Sequence, residues 1–345
     1  MVRKPSWHRL EKAVLEESPT TWEEARQQAG LTWEIETAPV FAEADCEGML
    51  RECEHFLPSD QCEECPTQVT HQYCDHKYEQ IEGYQQIRRD DTHGVLTVRP
   101  SSYEAIRNEQ FGGVMDALLG LEDDEHVEFE ALMALYGGRQ VVALVNFPEP
   151  LKMPWDPSKT YLYLCFASRH DGQGGLRGLA TNVRVQCANT MNLAEALDGR
   201  STGFSIRHTS NWEERVAEIR QELITARGDN QKWLDYTEQL AMWKVGARQR
   251  EAYLKKFLPV SDEHGKRKNE NQLLNRERIR TILESKTCED IASTGYGLLM
   301  ATTEWSDHSR EAQTTDSFVA RQLLRKEEPK AKSARILRQM AGVKL

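Results

Sequence analysis

Between residues 31 and 207 apolar residues alternate with polar ones in short runs; beyond residue 211 they recur at helical spacing. A period of two marks a strand with one buried face, and a period near 3.6 marks an amphipathic helix. The alternation predicts strands at Leu31 to Glu36, Tyr84 to Arg88 and Val95 to Val98, the last two joined by the turn Asp91-Thr92-His93-Gly94. It predicts a hairpin from Val127 to Leu135 and Gln140 to Phe147, because Gly137-Gly138 tolerates the positive φ angles of a tight turn. Further strands are expected at Thr160 to Ser168, Leu176 to Cys187 and Phe204 to Arg207.

Helices are expected over residues 1–30, where Thr21-Trp22-Glu23-Glu24 is a capping box and Gly30 a stop. A helix opening at Ser101 carries Tyr103, Ile106, Phe111, Val114 and Leu118 on one face, and another runs from Asn189 to Leu197. From Asn211 on, helices are predicted at Trp212–Ala226, Lys232–Phe257, Asn271–Glu284, Glu289–Thr303 and Ser317–Lys326, with a basic loop at Ser261–Asn269. The expected class is α+β: a mostly antiparallel sheet with packed helices, followed by an α-helical C-terminal part. The expected division is 1–41 (helices and first strand), 42–79 (a Cys/His-rich insertion), 80–210 (the α+β core) and 211–345 (a helical region with basic segments).

Composition adds little to this but limits the setting. The 345 residues are 39% apolar, enough for a real core. No run of about 18 apolar residues occurs, so no membrane span is expected. Leu10-Glu11-Lys12 stands where a signal peptide needs an apolar stretch, so a cytoplasmic protein is expected. The net charge of −11 is carried by residues 1–93, with 9 basic and 20 acidic side chains; the rest has 35 of each.

Five of the eight cysteines fall between Cys46 and Cys74. Such clustering in a reducing compartment favours metal over disulfides. Cys62 and Cys65 form a Cys-x2-Cys knuckle, and Cys74 and His76 are the nearest second pair, which makes a Cys3His zinc site. Cys46, Cys53 and His55 can replace members of that set or build a second site with His71. A polar, acidic segment of this kind needs a structural Zn2+ to fold. Nothing suggests a catalytic zinc, since no His-Glu-x-x-His and no deaminase signature is present.

Several stretches together resemble the phage- and plasmid-associated family catalogued as domain of unknown function 932. They are Trp33-Glu34-Ile35-Glu36, Arg88-Arg89-Asp90-Asp91-Thr92, Tyr103-Glu104-Ala105-Ile106-Arg107-Asn108 and Tyr136-Gly137-Gly138-Arg139. His170-Asp171-Gly172, Arg184 to Thr190, Ile206-Arg207-His208-Thr209, Gly295 to Leu299 and Thr303 to His308 continue the series. The resemblance runs from about residue 20 to residue 310, with the Cys/His insertion as its main departure. It implies a setting of DNA or RNA transactions and no specific activity. The element order also loosely resembles the core of single-strand annealing proteins, an analogy of topology alone.

The expected partner is therefore nucleic acid, single-stranded, held by a basic groove on the sheet formed from Arg88, Arg139, Arg184 and Arg207. Arg88 and Arg89 are neighbours on one strand, so only one can face that groove. A second basic stretch holds Lys244, Arg248, Lys255, Lys256, Lys266, Arg267 and Lys268; residues 244–268 carry 8 basic and 3 acidic side chains. The tail from Arg321 has 8 basic and 2 acidic residues, and the C-terminal helices are also candidates for homo-oligomer formation. The bland alternative is a set of solvated surface cations. His170-Asp171-Gly172 reads as a structural turn, Cys187 as a core thiol, and Trp305 as a core anchor. Two other functions compete: a regulator that engages a host protein through the acidic N-terminal surface, and an enzyme whose site unites Asp171, Cys187 and His208. No Walker A loop, Gly-x-Gly-x-x-Gly or Gly-x-Ser-x-Gly motif supports ATP-driven or hydrolase chemistry, and no catalytic residue is assigned.

Overall fold

A computed structural model describes residues 14–15, 19–43, 78–119, 128–147, 149–184, 189–192, 203–206, 230–308, 314–324 and 328–343. In chain order the elements are α1 (Trp22–Gln28), β1 (Ile35–Glu43), β2 (Tyr78–Arg89), β3 (Val95–Pro100), α2 (Asn108–Leu119), β4 (Glu128–Leu135), β5 (Gln140–Asn146), β6 (Thr160–Arg169), β7 (Leu176–Arg184), β8 (Asn189–Asn192) and β9 (Gly203–Ile206). The C-terminal part adds α3 (230–242), α4 (Ala247–Phe257), α5 (Lys266–Leu283), α6 (Gly295–His308), α7 (Thr315–Leu324) and α8 (Glu328–Ala341). Strands β1, β2 and β3 form one antiparallel sheet. A second sheet runs β4-β5-β6-β7-β8, and β9 also pairs with β7; every pairing is antiparallel. The class is α+β, as the residue pattern predicts.

The larger sheet is covered on both faces. Every residue from Gln140 to Val145 is buried, the signature of a central strand packed on two sides. Val141, Ala143 and Val145 point to a core shared with Phe129, Leu132 and Phe166. Val142 and Leu144 point the other way, to Phe318, Val319 and Leu323 of α7. The expected open groove on the sheet face is therefore filled by α7, because side chains of period two on a doubly apolar strand must all be sheltered from water.

The Gly-Gly hairpin forms as expected, with Leu135 opposite Gln140. Gly138 has φ 100°, and a β-carbon there would lie 2.9 Å from the Trp33 ring, so glycine is required twice over. Trp305 is buried edge-on against Phe257, as a core anchor should be.

Other expectations are corrected. Val14 bridges Ala131 and Leu15 N–H donates to the Glu130 carbonyl, so this part of the N-terminal stretch is extended along β4 and not helical. Among the described residues of this stretch, only Trp22–Gln28 is helix, with the Thr21 hydroxyl accepting from Glu24 N–H. Strand β1 starts at Ile35, four residues later than predicted, because Glu34 has another task. Its carboxylate accepts from Asn108 and Glu109 N–H at 2.9 Å each, which also explains why α2 opens at Asn108 and not at Ser101. Asn189–Asn192 is strand β8, since the free edge of β7 offers hydrogen bonds that override helix propensity. The single helix expected over Lys232–Phe257 breaks into α3 and α4 where Lys244 bridges Thr294 and Val245 N–H bonds Ser293. The first turn of α5 takes up part of the predicted basic loop. The predicted helix Trp212–Ala226 lies outside the described residues.

Candidate nucleic-acid interface

Two hairpin turns, 136–139 and 170–175, meet at one end of the larger sheet. The register sets Gln140 opposite Arg169 and Ala167 opposite Arg177. Directly opposed residues share a face. Gln140, Ala167, Arg169, Arg177 and Leu179 therefore all lie on the side that α7 covers. The apolar part of α7 stops short of this end, and its first turns bring Ser317 and Ala320 alongside. Asp316 ties the helix there by accepting from Tyr136 N–H at 2.6 Å.

The result is a cavity of about 410 Å³ lined by Tyr136, Arg139, Gln140, Arg169, Asp171, Gln173, Arg177 and Ser317, among others. Arg169 grips Asp171 in a bidentate pair, with Nε 3.0 Å from Oδ1, and also donates to Gln173 Oε1 at 3.0 Å. Burial raises the Asp171 carboxyl, but the Arg169 hydrogen bond, the Gln173 N–H and the charges of Arg169 and Arg99 outweigh it and hold the group below the usual carboxylate range. The Asp171 hydrogen bond in turn raises the Arg169 guanidinium, against its partial burial. Arg139 and Arg177 are exposed, and neither side chain makes a hydrogen bond or ion pair with any described residue. Guanidinium forks with no carboxylate partner are suited to bidentate binding of phosphate.

The other expected cations are dispersed. Arg88 lies on the smaller sheet, paired with Glu36 at 2.7 Å. Its neighbour Arg89 covers the Trp33 ring at 4.4 Å. Arg184 is buried: Nε is 2.7 Å from Asp156 Oδ2, Nη2 is 2.9 Å from Oδ1, and Nη1 donates to the Thr287 carbonyl. Tyr296 O–H donates to the same carboxylate. Arg184 is thus a core ion pair and does not face a groove. Arg207, Cys187 and His208 lie outside the described residues, while Asp171 is engaged by Arg169.

Lys244, Arg248, Lys255, Lys256, Lys266, Arg267 and Lys268 are all exposed. The last three stand in the first turn of α5, which contains no acidic residue. Cations there oppose the helix dipole, at about 0.3–1 kcal/mol each. Their placement is unfavourable for the helix and favourable for an anion.

Arg169 and Arg177 escaped the sequence reading. Both flank a turn that the alternation locates correctly, and arginines on the two shoulders of one predicted hairpin were the available signal. The metal candidates Cys46, Cys53, His55, Cys62, Cys65, Cys74 and His76 lie outside the described residues. What is described is their attachment: Glu43 and Tyr78 are paired across β1 and β2, so the 34 residues between them are inserted at a hairpin tip. Among the described residues, no group of three or more His, Cys, Asp or Glu side chains gathers as metal ligands. Cys165 and Cys288 are buried thiols outside any disulfide, and burial pushes Cys165 up to about 12. No described helix is long and apolar enough to cross a membrane.

No curated protein and no solved structure matches the chain. A family model described as "Domain of unknown function (DUF932)" matches residues 95–336, from β3 to α8. That span takes in both hairpin turns, the arginine cavity and the C-terminal helices, and the chain belongs to the DUF932 family.

Proposed function

We propose that this chain is a nucleic-acid-binding protein of phage or plasmid origin that holds single strands by their phosphates, in recombination or annealing. The observation that carries the reading is the gathering of Arg139, Arg169 and Arg177 round one cavity, two of them with no described partner. The exposed cations of α4 and α5 would extend the contact. Single strands bound in this way lose affinity steeply with salt, with a slope of about −0.7 per phosphate neutralised. Filter binding across a salt series tests this. The double variant Arg139→Ala, Arg177→Ala is expected to flatten the slope by roughly 1.4, two phosphate contacts' worth. No retention of any single strand at low salt would remove the reading.

The Cys/His insertion is proposed to hold structural zinc through Cys62, Cys65, Cys74 and His76, with Cys46, Cys53 and His55 in reserve. Its donor set, thiolates and imidazoles in knuckle spacing, fits zinc chemistry. Elemental analysis of tag-free protein is expected to find at least one equivalent; a metal-free preparation with reduced thiols would end the idea.

A second reading is a regulator of a host protein. Phe41, Ile81 and Tyr84, exposed on the β1–β2 arm that carries the acidic insertion, favour it. Capture of one host protein that is lost when residues 36–88 are cut back would support it, and unchanged capture would count against it.

A further inference from the structure

We infer that the arginine cavity is a pocket for a terminal phosphomonoester of a strand, and not a stretch of track along which a strand lies; this rests on the reading that the chain binds nucleic acid. A track repeats its cations along a line. Here they surround one volume: Arg139 comes from the first hairpin turn, Arg169 and Arg177 from the shoulders of the second, and Ser317 of α7 stands on the remaining side.

Size agrees with this. A cavity of about 410 Å³ is at the small end of ligand sites, which span roughly 300–1,000 Å³. It has room for a phosphate with its nucleoside and not for a run of nucleotides. Tyr136 also lines the cavity, half-buried against the apolar cluster beneath α7.

Charge agrees as well. Three guanidinium groups against the Asp171 carboxylate leave a lining of +2. An internal phosphodiester carries a single negative charge, whereas a phosphomonoester carries about −1.5 to −2 near neutral pH. The lining therefore matches a strand end better than a strand interior. Arg169 is preorganised by its bidentate hold on Asp171, so it orients donors without losing side-chain freedom on binding. Arg139 and Arg177 supply the remaining donors.

Four single strands of one sequence test the inference: 5′-phosphorylated, 3′-phosphorylated, hydroxyl at both ends, and covalently closed. One phosphorylated form is expected to bind about tenfold or more tighter than the hydroxyl-ended and closed forms. Arg139→Ala and Arg177→Ala should each abolish that preference while leaving the thermal melt unchanged, since neither side chain supports another. Equal affinity for all four strands overturns the pocket and leaves strand binding intact. Failure to bind any strand overturns both. A free nucleoside monophosphate that binds as tightly as the best strand assigns the pocket to free nucleotides, and the strand-end inference falls.

Discussion

Arg184 and Arg169 both sit at the end of a strand and both pair with an aspartate, yet depth gives them different work. Arg184 and Asp156 are 2% and 0% exposed, and the Thr287 carbonyl and Tyr296 hydroxyl complete their bonding. Removing one member of such a pair leaves a buried charge uncompensated. Arg184→Met is expected to destabilise the fold by about 3–5 kcal/mol, with much of that recovered when Asp156 is also made apolar. Denaturant melts of the single and double variants check it; an equally unstable double variant would mean that the pair matters for shape and not for charge. Arg169 and Asp171 lie at the cavity wall, where the pair is accessible to a ligand. The folded state depresses the Asp171 carboxyl below its ordinary 3.8, so the group adds stability above that value and loses it as pH falls through the folded value. Relative to Asp171→Asn, the native protein should be more stable near neutral pH, and the difference should shrink below pH 3.8. A difference that stays constant down to about pH 2 would show that the depression contributes nothing.

Two element boundaries here are set by partners distant in the chain. The N-terminus of α2 is capped by Glu34, 74 residues earlier in the chain, which satisfies two orphan N–H groups. Burial raises the Glu34 carboxyl despite those bonds and the nearby Arg26 charge, so the cap is held at some desolvation cost. Glu34→Ala should lower stability by about 1 kcal/mol, as loss of a cap usually does, and amide exchange should rise first at Asn108 and Glu109. Uniform exchange along α2 would argue against a local cap. The break between α3 and α4 has the same character. A bridge from Lys244 to Thr294 holds it, and the local signal is Gly246, which N-caps α4 and donates its N–H to Gln249 Oε1 at 3.2 Å.

At the scale of the molecule, the insertion is attached to the body at the ends of β1 and β2. Because Glu43 faces Tyr78 across β1 and β2, a two-residue turn can replace residues 44–77 without moving either strand. Protein with Asn-Gly in their place is expected to keep the melting temperature of the body within a few degrees, a shift of about 1 kcal/mol or less. A collapse in solubility or a lost transition would show that the insertion belongs to the core.

Much of this was legible in the chain. Alternation located β4 and β5 to within a residue, and the Gly137-Gly138 turn followed from backbone sterics, because these depend on neighbours in sequence. Helical spacing likewise announced the C-terminal part. What the sequence left open was which charges are buried and which meet. Arg184 reads like Arg177 in one dimension, each a cation in an alternating strand; the register turns Arg184 away from α7, where Asp156, Thr287 and Tyr296 of α6 bury it, and leaves Arg177 on the α7 side at the cavity. That division is made by contacts between residues far apart in the chain, whose geometry no local periodicity encodes.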